Sequence, residues 1–145
     1  MSWFGRVHAL QQARAAGGDE GVHESSEGLV LGASRANIFL VRGGELLTPT
    51  VSGGALPGIT RALVISTLAP ALGIAVREVD LGTADLDDAE AILLTNSLWG
   101  VRPATWGALG HGADGHPILR ALARAARDHR RADCGVAGEP EQGGC

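Results

Sequence analysis

The chain has 145 residues, 45% of them hydrophobic, and a formal net charge of −4. It is long and apolar enough for one domain with a proper core, and too apolar to be disordered in bulk, while no apolar run is long enough to span a membrane. All twelve Lys+Arg residues are arginine, which excludes a lysine nucleophile from this chain, and no basic stripe along the sequence points to nucleic acid.

Aromatic residues make up only 3% and tyrosine is absent, so Leu, Ile, Val and Ala must fill the core. Trp3 to Ala16 is expected as a helix, because Trp3, Val7 and Leu10 share one face at helical spacing. Gly17-Gly18 stops it. A strand around Val22, a turn at Ser25 to Gly28 and a strand Leu29-Val30-Leu31 follow. Gly32 to Asn37 reads as a polar bend. Ile38 to Val41 and Glu45 to Thr48 form a hairpin about Arg42-Gly43-Gly44, and Pro49 ends the pairing.

Leu56-Pro57-Gly58-Ile59-Thr60-Arg61 reads as a tight turn opening directly into a helix that runs to about Leu72. Pro57 fixes its own φ, and Gly58 allows a backbone conformation that a side chain would block. The first turn then offers N–H groups from Gly58, Ile59 and Thr60 beside the Thr60 hydroxyl, which suits a phosphate at the positive end of a helix dipole. The same residues also fit a plain loop with a threonine near a helix start, and taken alone they leave both readings open. The helix is apolar nearly all round and should be buried on most sides, with a kink or early end at Pro70.

Ile74 to Val79 is the next strand, and Thr83 is expected to cap a short helix through Ala89 with Asp85 in its first turn. Ala91 to Leu94 reads as a strand buried on both faces, delivering Thr95-Asn96-Ser97 at its end. Another short strand runs from Leu98 to Pro103. Gly107 to Gly115 is a glycine-rich loop, Pro117 to His129 a helix, and the residues from Arg130 a disordered tail. His8, His111 and His116 read as helix-surface and loop residues, not metal ligands. Cys134 and Cys145, with no signal peptide at the start, read as free thiols of a cytoplasmic protein.

Four segments, in order, resemble the C-terminal domain of the class IV aminotransferases. They are AGGDE (Ala16 to Glu20), SRANIFLV (Ser34 to Val41), LLTPTVSGGALPGITR (Leu46 to Arg61) and LLTNSLWGVRP (Leu93 to Pro103). This family of pyridoxal-phosphate enzymes includes D-amino-acid and branched-chain aminotransferases and aminodeoxychorismate lyase, and the TNSLWGVRP run is most similar to the lyase. The resemblance implies an α+β domain over residues 1–106, then a loop and terminal helix (107–129) and a tail (130–145). It implies pyridoxal 5′-phosphate as cofactor, a small amino or chorismate-derived substrate, a role in 4-aminobenzoate and folate synthesis, and a homodimer. Ile59 and Thr60 would bind the cofactor phosphate through backbone N–H groups, with Gly58 in the same turn. Ser97 would add a second hydroxyl with Asn96 beside it, and Leu56 would pack against the pyridine ring.

The sequence departs from the family pattern in two places. The Schiff-base lysine of the family falls just upstream of Met1, and the N-terminal domain is absent. The acid that pairs with the pyridine nitrogen is replaced by Gly32, with Ala33 after it, and Glu27 is too distant in sequence to be assumed a substitute. The expectation is therefore a truncated enzyme domain without catalytic residues of its own. Its alternatives are a non-catalytic degenerate domain that binds a phosphate ligand or a partner chain, and a plain interaction module.

Overall fold

The computed structural model describes residues 3–107 and 115–134, with side chains from Val7 onward. Its centre is a five-stranded sheet in the order β5-β4-β3-β6-β7. The elements in chain order are α1 (Trp3–Ala15), β1 (Val22–Glu24), β2 (Val30–Ala33), β3 (Asn37–Arg42), β4 (Glu45–Thr48), α2 (Ile59–Leu63), a π-helical turn (Val64–Leu68), α3 (Ala69–Ala71), β5 (Val76–Glu78), α4 (Thr83–Asp87), β6 (Ala91–Asn96), β7 (Gly100–Ala104) and α5 (Pro117–Asp133).

Strand alternation divides the side chains between two cores. Phe39 and Val41 of β3 and Ala91 and Leu93 of β6 face the helices, where they meet Val64, Leu68, Leu119 and Leu122. Ile38 and Leu40, with Ile92 and Leu94, face the opposite side and pack with Val30, Ala33, Leu81 and Leu86. β3 pairs antiparallel with both β4 and β6, with Asn37 opposite Thr95 and Leu40 opposite Leu47. The α+β class is thus the observed one, and β6 is buried on both faces as expected. Gly32 lies in β2 and not in a bend. It pairs with His23 of β1 in a separate two-stranded ribbon.

The helix after Ile59 differs from its expected form. It starts at Ile59, but Val64–Leu68 widens into a π turn, with the Ala69 N–H reaching back to the Val64 carbonyl. Pro70 brings no N–H, and its ring would crowd the carbonyl four residues back, so a wider turn just before it removes the conflict. One face only is buried: Val64, Leu68 and Ala69 meet the sheet, while Ala62, Ser66, Thr67 and Pro70 face solvent.

The cap of α4 lies one residue earlier than predicted, and the helix ends at Asp87, short of Ala89. Gly82 is the N-cap, and the Asp85 carboxylate accepts its N–H at 2.8 Å. α5 runs four residues past His129, so Arg130 to Asp133 are helical, not tail. His116 caps α5, its Nδ1 accepting the Ile118 N–H at 3.2 Å. On the outer face of α5, Arg120, Arg124, Arg127 and Arg131 lie at helical spacing, exposed, and none is ion-paired with a described residue. This local cationic face qualifies the reading that no basic stripe exists. Cys134 is disulfide-bonded, which corrects the expectation of a free thiol there. Cys145 and His111 lie outside the described residues, and among the described residues no helix is long and apolar enough to cross a membrane.

Candidate functional site

The predicted site residues come together at one end of the sheet, where β3 begins and β6 ends. Asn37 and Thr95 are register partners there, and both lie on the helix-facing side by alternation with Phe39 and Leu93. The turn before α2 sits on this pair. The Asn37 carboxamide donates from Nδ2 to the Leu56 carbonyl at 2.7 Å. The same carbonyl accepts the Gly58 N–H at 2.9 Å, closing a three-residue turn around Pro57. The Gly58 N–H is therefore occupied, which corrects the expectation that it is a free donor. Gly58 has φ −67° and ψ 144°, an ordinary extended conformation, so its glycine is not required by backbone angle.

Beyond Gly58 the helix opens. Among the described residues, the N–H groups of Ile59 and Thr60 have no hydrogen-bond partner. Thr60 is buried at the helix start, and the Thr95 Oγ in the strand below is fully buried with no partner among the described residues. Buried polar atoms are seldom left unpaired, which singles out the Thr95 hydroxyl, while the Ile59 and Thr60 N–H groups are the open donors of a helix start.

Asn96 and Ser97 follow at the end of β6. Asn96 is committed to the architecture: its Oδ1 accepts the N–H groups of Leu98 and Trp99 at 3.1 and 3.0 Å, and its Nδ2 donates to the Arg35 carbonyl at 3.1 Å. It shapes the turn that leaves Ser97 exposed, with Oδ1 accepting twice and one of its two Nδ2 donors engaged. Leu56 keeps an exposed side chain, and Ile59 and Leu98 are each 80% exposed, so the polar centre has an apolar rim.

Two residues that sequence reasoning passed over hold this arrangement. Arg61 is buried on the third residue of α2. It donates to the Pro49 carbonyl at 3.0 Å and pairs with Glu78 of β5, tying the helix start to the edge of the sheet. In the sequence Asn37 reads only as the end of a polar bend, although its place at the head of an apolar β-run is the signal for a buried polar role.

The SRANIF segment touches the other three motif segments. Arg35 meets Glu20 of AGGDE at 2.7 Å and Asn96 through its carbonyl, and Asn37 reaches Leu56. The family model for amino-transferase class IV matches residues 1–105. The chain belongs to the class IV aminotransferase family. At 34% identity it resembles a protein of Legionella pneumophila assigned as a 4-amino-4-deoxychorismate lyase, with a TM-score of 0.81 over 88% of this chain and 47% of that one. It is 28% identical to an aminotransferase from Brucella abortus solved with the cofactor PLP, with a TM-score of 0.79 over 88% and 45% of the two chains. Over 95 residues it is 34% identical to an Aquifex aeolicus protein assigned as a branched-chain-amino-acid aminotransferase, covering 66% of this chain and 30% of the relative. The chain thus spans less than half the length of each.

Class IV aminotransferases bind PLP. The free donors of Ile59 and Thr60, at the start of a helix, are of the kind that suits a phosphate such as that of the cofactor. At the other end Gly32 has φ 150°, and a Cβ there would stand 3.1 Å from the Ala36 carbonyl oxygen. This backbone is built for glycine and supplies no carboxylate. Glu27 does not replace it, since it lies exposed in the β1–β2 turn.

Proposed function

We propose that this chain carries the phosphate-holding part of a PLP-dependent class IV enzyme. The carrying observation is the pair of free N–H groups at Ile59 and Thr60, on a helix that packs against the strand bearing the orphaned Thr95 hydroxyl. Ile59 and Thr60 bind the phosphate through the backbone, Ser97 adds its hydroxyl from the β6–β7 turn, and Leu56 lies against the ring. Gly58 and Asn96 shape these two turns, the Gly58 N–H being held by the Leu56 carbonyl while Asn96 keeps one Nδ2 donor free among the described residues. When bound, PLP supplies an electron sink for chemistry at the amino-bearing carbon of a small amino or chorismate-derived substrate.

The proposed context is amino-acid transamination or aminodeoxychorismate lysis for folate synthesis, in a cytoplasmic homodimer. The 145 residues contain no lysine, so the covalent step of that chemistry needs a lysine from outside them. Gly32 favours a second reading, a non-catalytic domain that keeps the phosphate site and has lost the acid at the ring end.

Titration of the purified chain with PLP, followed by absorbance, tests the binding. Reversible uptake competed by inorganic phosphate is expected, with no adduct after borohydride and no turnover of branched-chain amino acids or aminodeoxychorismate. Absence of any PLP uptake overturns the site. Turnover by the lysine-free chain overturns the assignment of its chemistry.

A further inference from the structure

We propose that Asn37 is the positioning residue of this site, setting the Ile59 and Thr60 donors in place through an interlock with Gly58. The proposal deepens the phosphate-site reading and rests on it for the identity of the ligand.

Three observations carry it. Asn37 is buried at the head of the central strand, which is paired on both sides. Its Nδ2 holds the Leu56 carbonyl at 2.7 Å, fixing the turn from below. Its Oδ1 occupies the volume beside the Gly58 Cα: a Cβ at position 58 would overlap that oxygen and lie 3.3 Å from the Asn37 Cγ. Gly58 is thus glycine because Asn37 is asparagine. The φ and ψ of Gly58 would suit any residue, so no backbone argument explains it. The next two N–H groups are the free donors, so a displacement of Gly58 passes directly to them.

Asn37 also joins the two halves of the site. Its strand partner is Thr95, and the chain runs from there through Asn96 to Ser97. One side chain in β3 therefore sets the start of α2, while its own backbone sets the strand that delivers the second hydroxyl. Asn37 does not touch the proposed ligand, and its effect is on distances between donors.

The test compares the full 145-residue chain with Asn37→Ala, Gly58→Ala and the double variant, using inorganic phosphate as the probe. Gly58→Ala is expected to weaken phosphate binding by more than about tenfold and to shift the Ile59 and Thr60 amide resonances. Asn37→Ala, which loses one hydrogen bond, is expected to weaken it by up to about tenfold. The double variant should bind no worse than Asn37→Ala alone, because removing the carboxamide makes room for the new methyl. Additive losses, or a Gly58→Ala chain that binds like the wild type, overturn the interlock. If Gly58→Ala does not fold, a folded double variant is the same rescue. If neither folds, Asn37→Ala decides, and unchanged Ile59 and Thr60 amide shifts overturn the proposal. Should the wild type bind no phosphate, the functional reading fails, while the amide shifts still score the interlock.

Discussion

Asp85 shows how one carboxylate can bind a helix start to a sheet. It accepts the Gly82 N–H, and it meets Arg42 of β3 at 3.0 Å. The Gly82 hydrogen bond is the main cause that holds its carboxyl below the usual range. Burial pushes the other way, and Arg42 adds a further lowering. A folded-state pKa below the unfolded one gives stability that is present above the unfolded pKa and is lost as pH falls through the folded one. Asp85→Asn should therefore lower the urea midpoint at pH 6, and the gap to the wild type should close below about pH 4. Equal gaps at pH 6 and pH 3 would contradict the assigned cause. Arg61 gives a second residue-scale expectation. Glu78→Gln leaves a buried guanidinium with a weaker acceptor, so urea unfolding should show a loss of about 1–3 kcal/mol.

At the scale of elements, α5 and the broken helix α2–α3 are the layer that covers the site side of the sheet. α5 holds through Leu119 and Leu122, which enter the same cluster as Phe39 and Leu93. Leu122 is fully buried, so Leu122→Ala should cost about 2–5 kcal/mol in chemical unfolding. The His116 cap is a smaller contribution. His116→Ala leaves the Ile118 N–H unpaired and should cost about 1 kcal/mol, with the loss reported by fraying of the first turn of α5 in amide exchange. The π turn is a different case. Its place before Pro70 was not legible, because the period of a π turn leaves no mark in an apolar run. The proline itself was legible, and the conflict it predicted is resolved by widening, without an early end.

For the molecule as a whole, charge and apolar surface are unevenly spread. The chain is acidic in total, yet four arginines share the outer face of α5. The apolar rim of Ile59 and Leu98 lies at the opposite kind of surface, beside a polar centre. Exposed apolar side chains that form a contiguous patch mark interaction surfaces. If the proposed homodimer uses this rim, sedimentation should show association that rises with chain concentration, and Leu98→Glu should shift it toward monomer. No dependence on concentration would remove the rim from the dimer proposal.

The sequence by itself determined the strands, the turn at Pro57, the helix start at Ile59 and the family. Each of these rests on local pattern: alternation, fixed proline geometry and ordered motifs. It also singled out the Ile59 and Thr60 N–H groups as open donors, since a helix start is visible as a local pattern. Only the tertiary structure decided which donors are free. The Gly58 N–H is taken by a carbonyl two residues back, and Asn96 spends its Oδ1 on its own turn and one of its two Nδ2 donors on Arg35. The roles of Asn37 and Gly58 were equally hidden, because they depend on two segments meeting across a sheet. Hydrogen-bond partners and excluded volume are properties of neighbours in space, and a chain read in order has neighbours only in sequence.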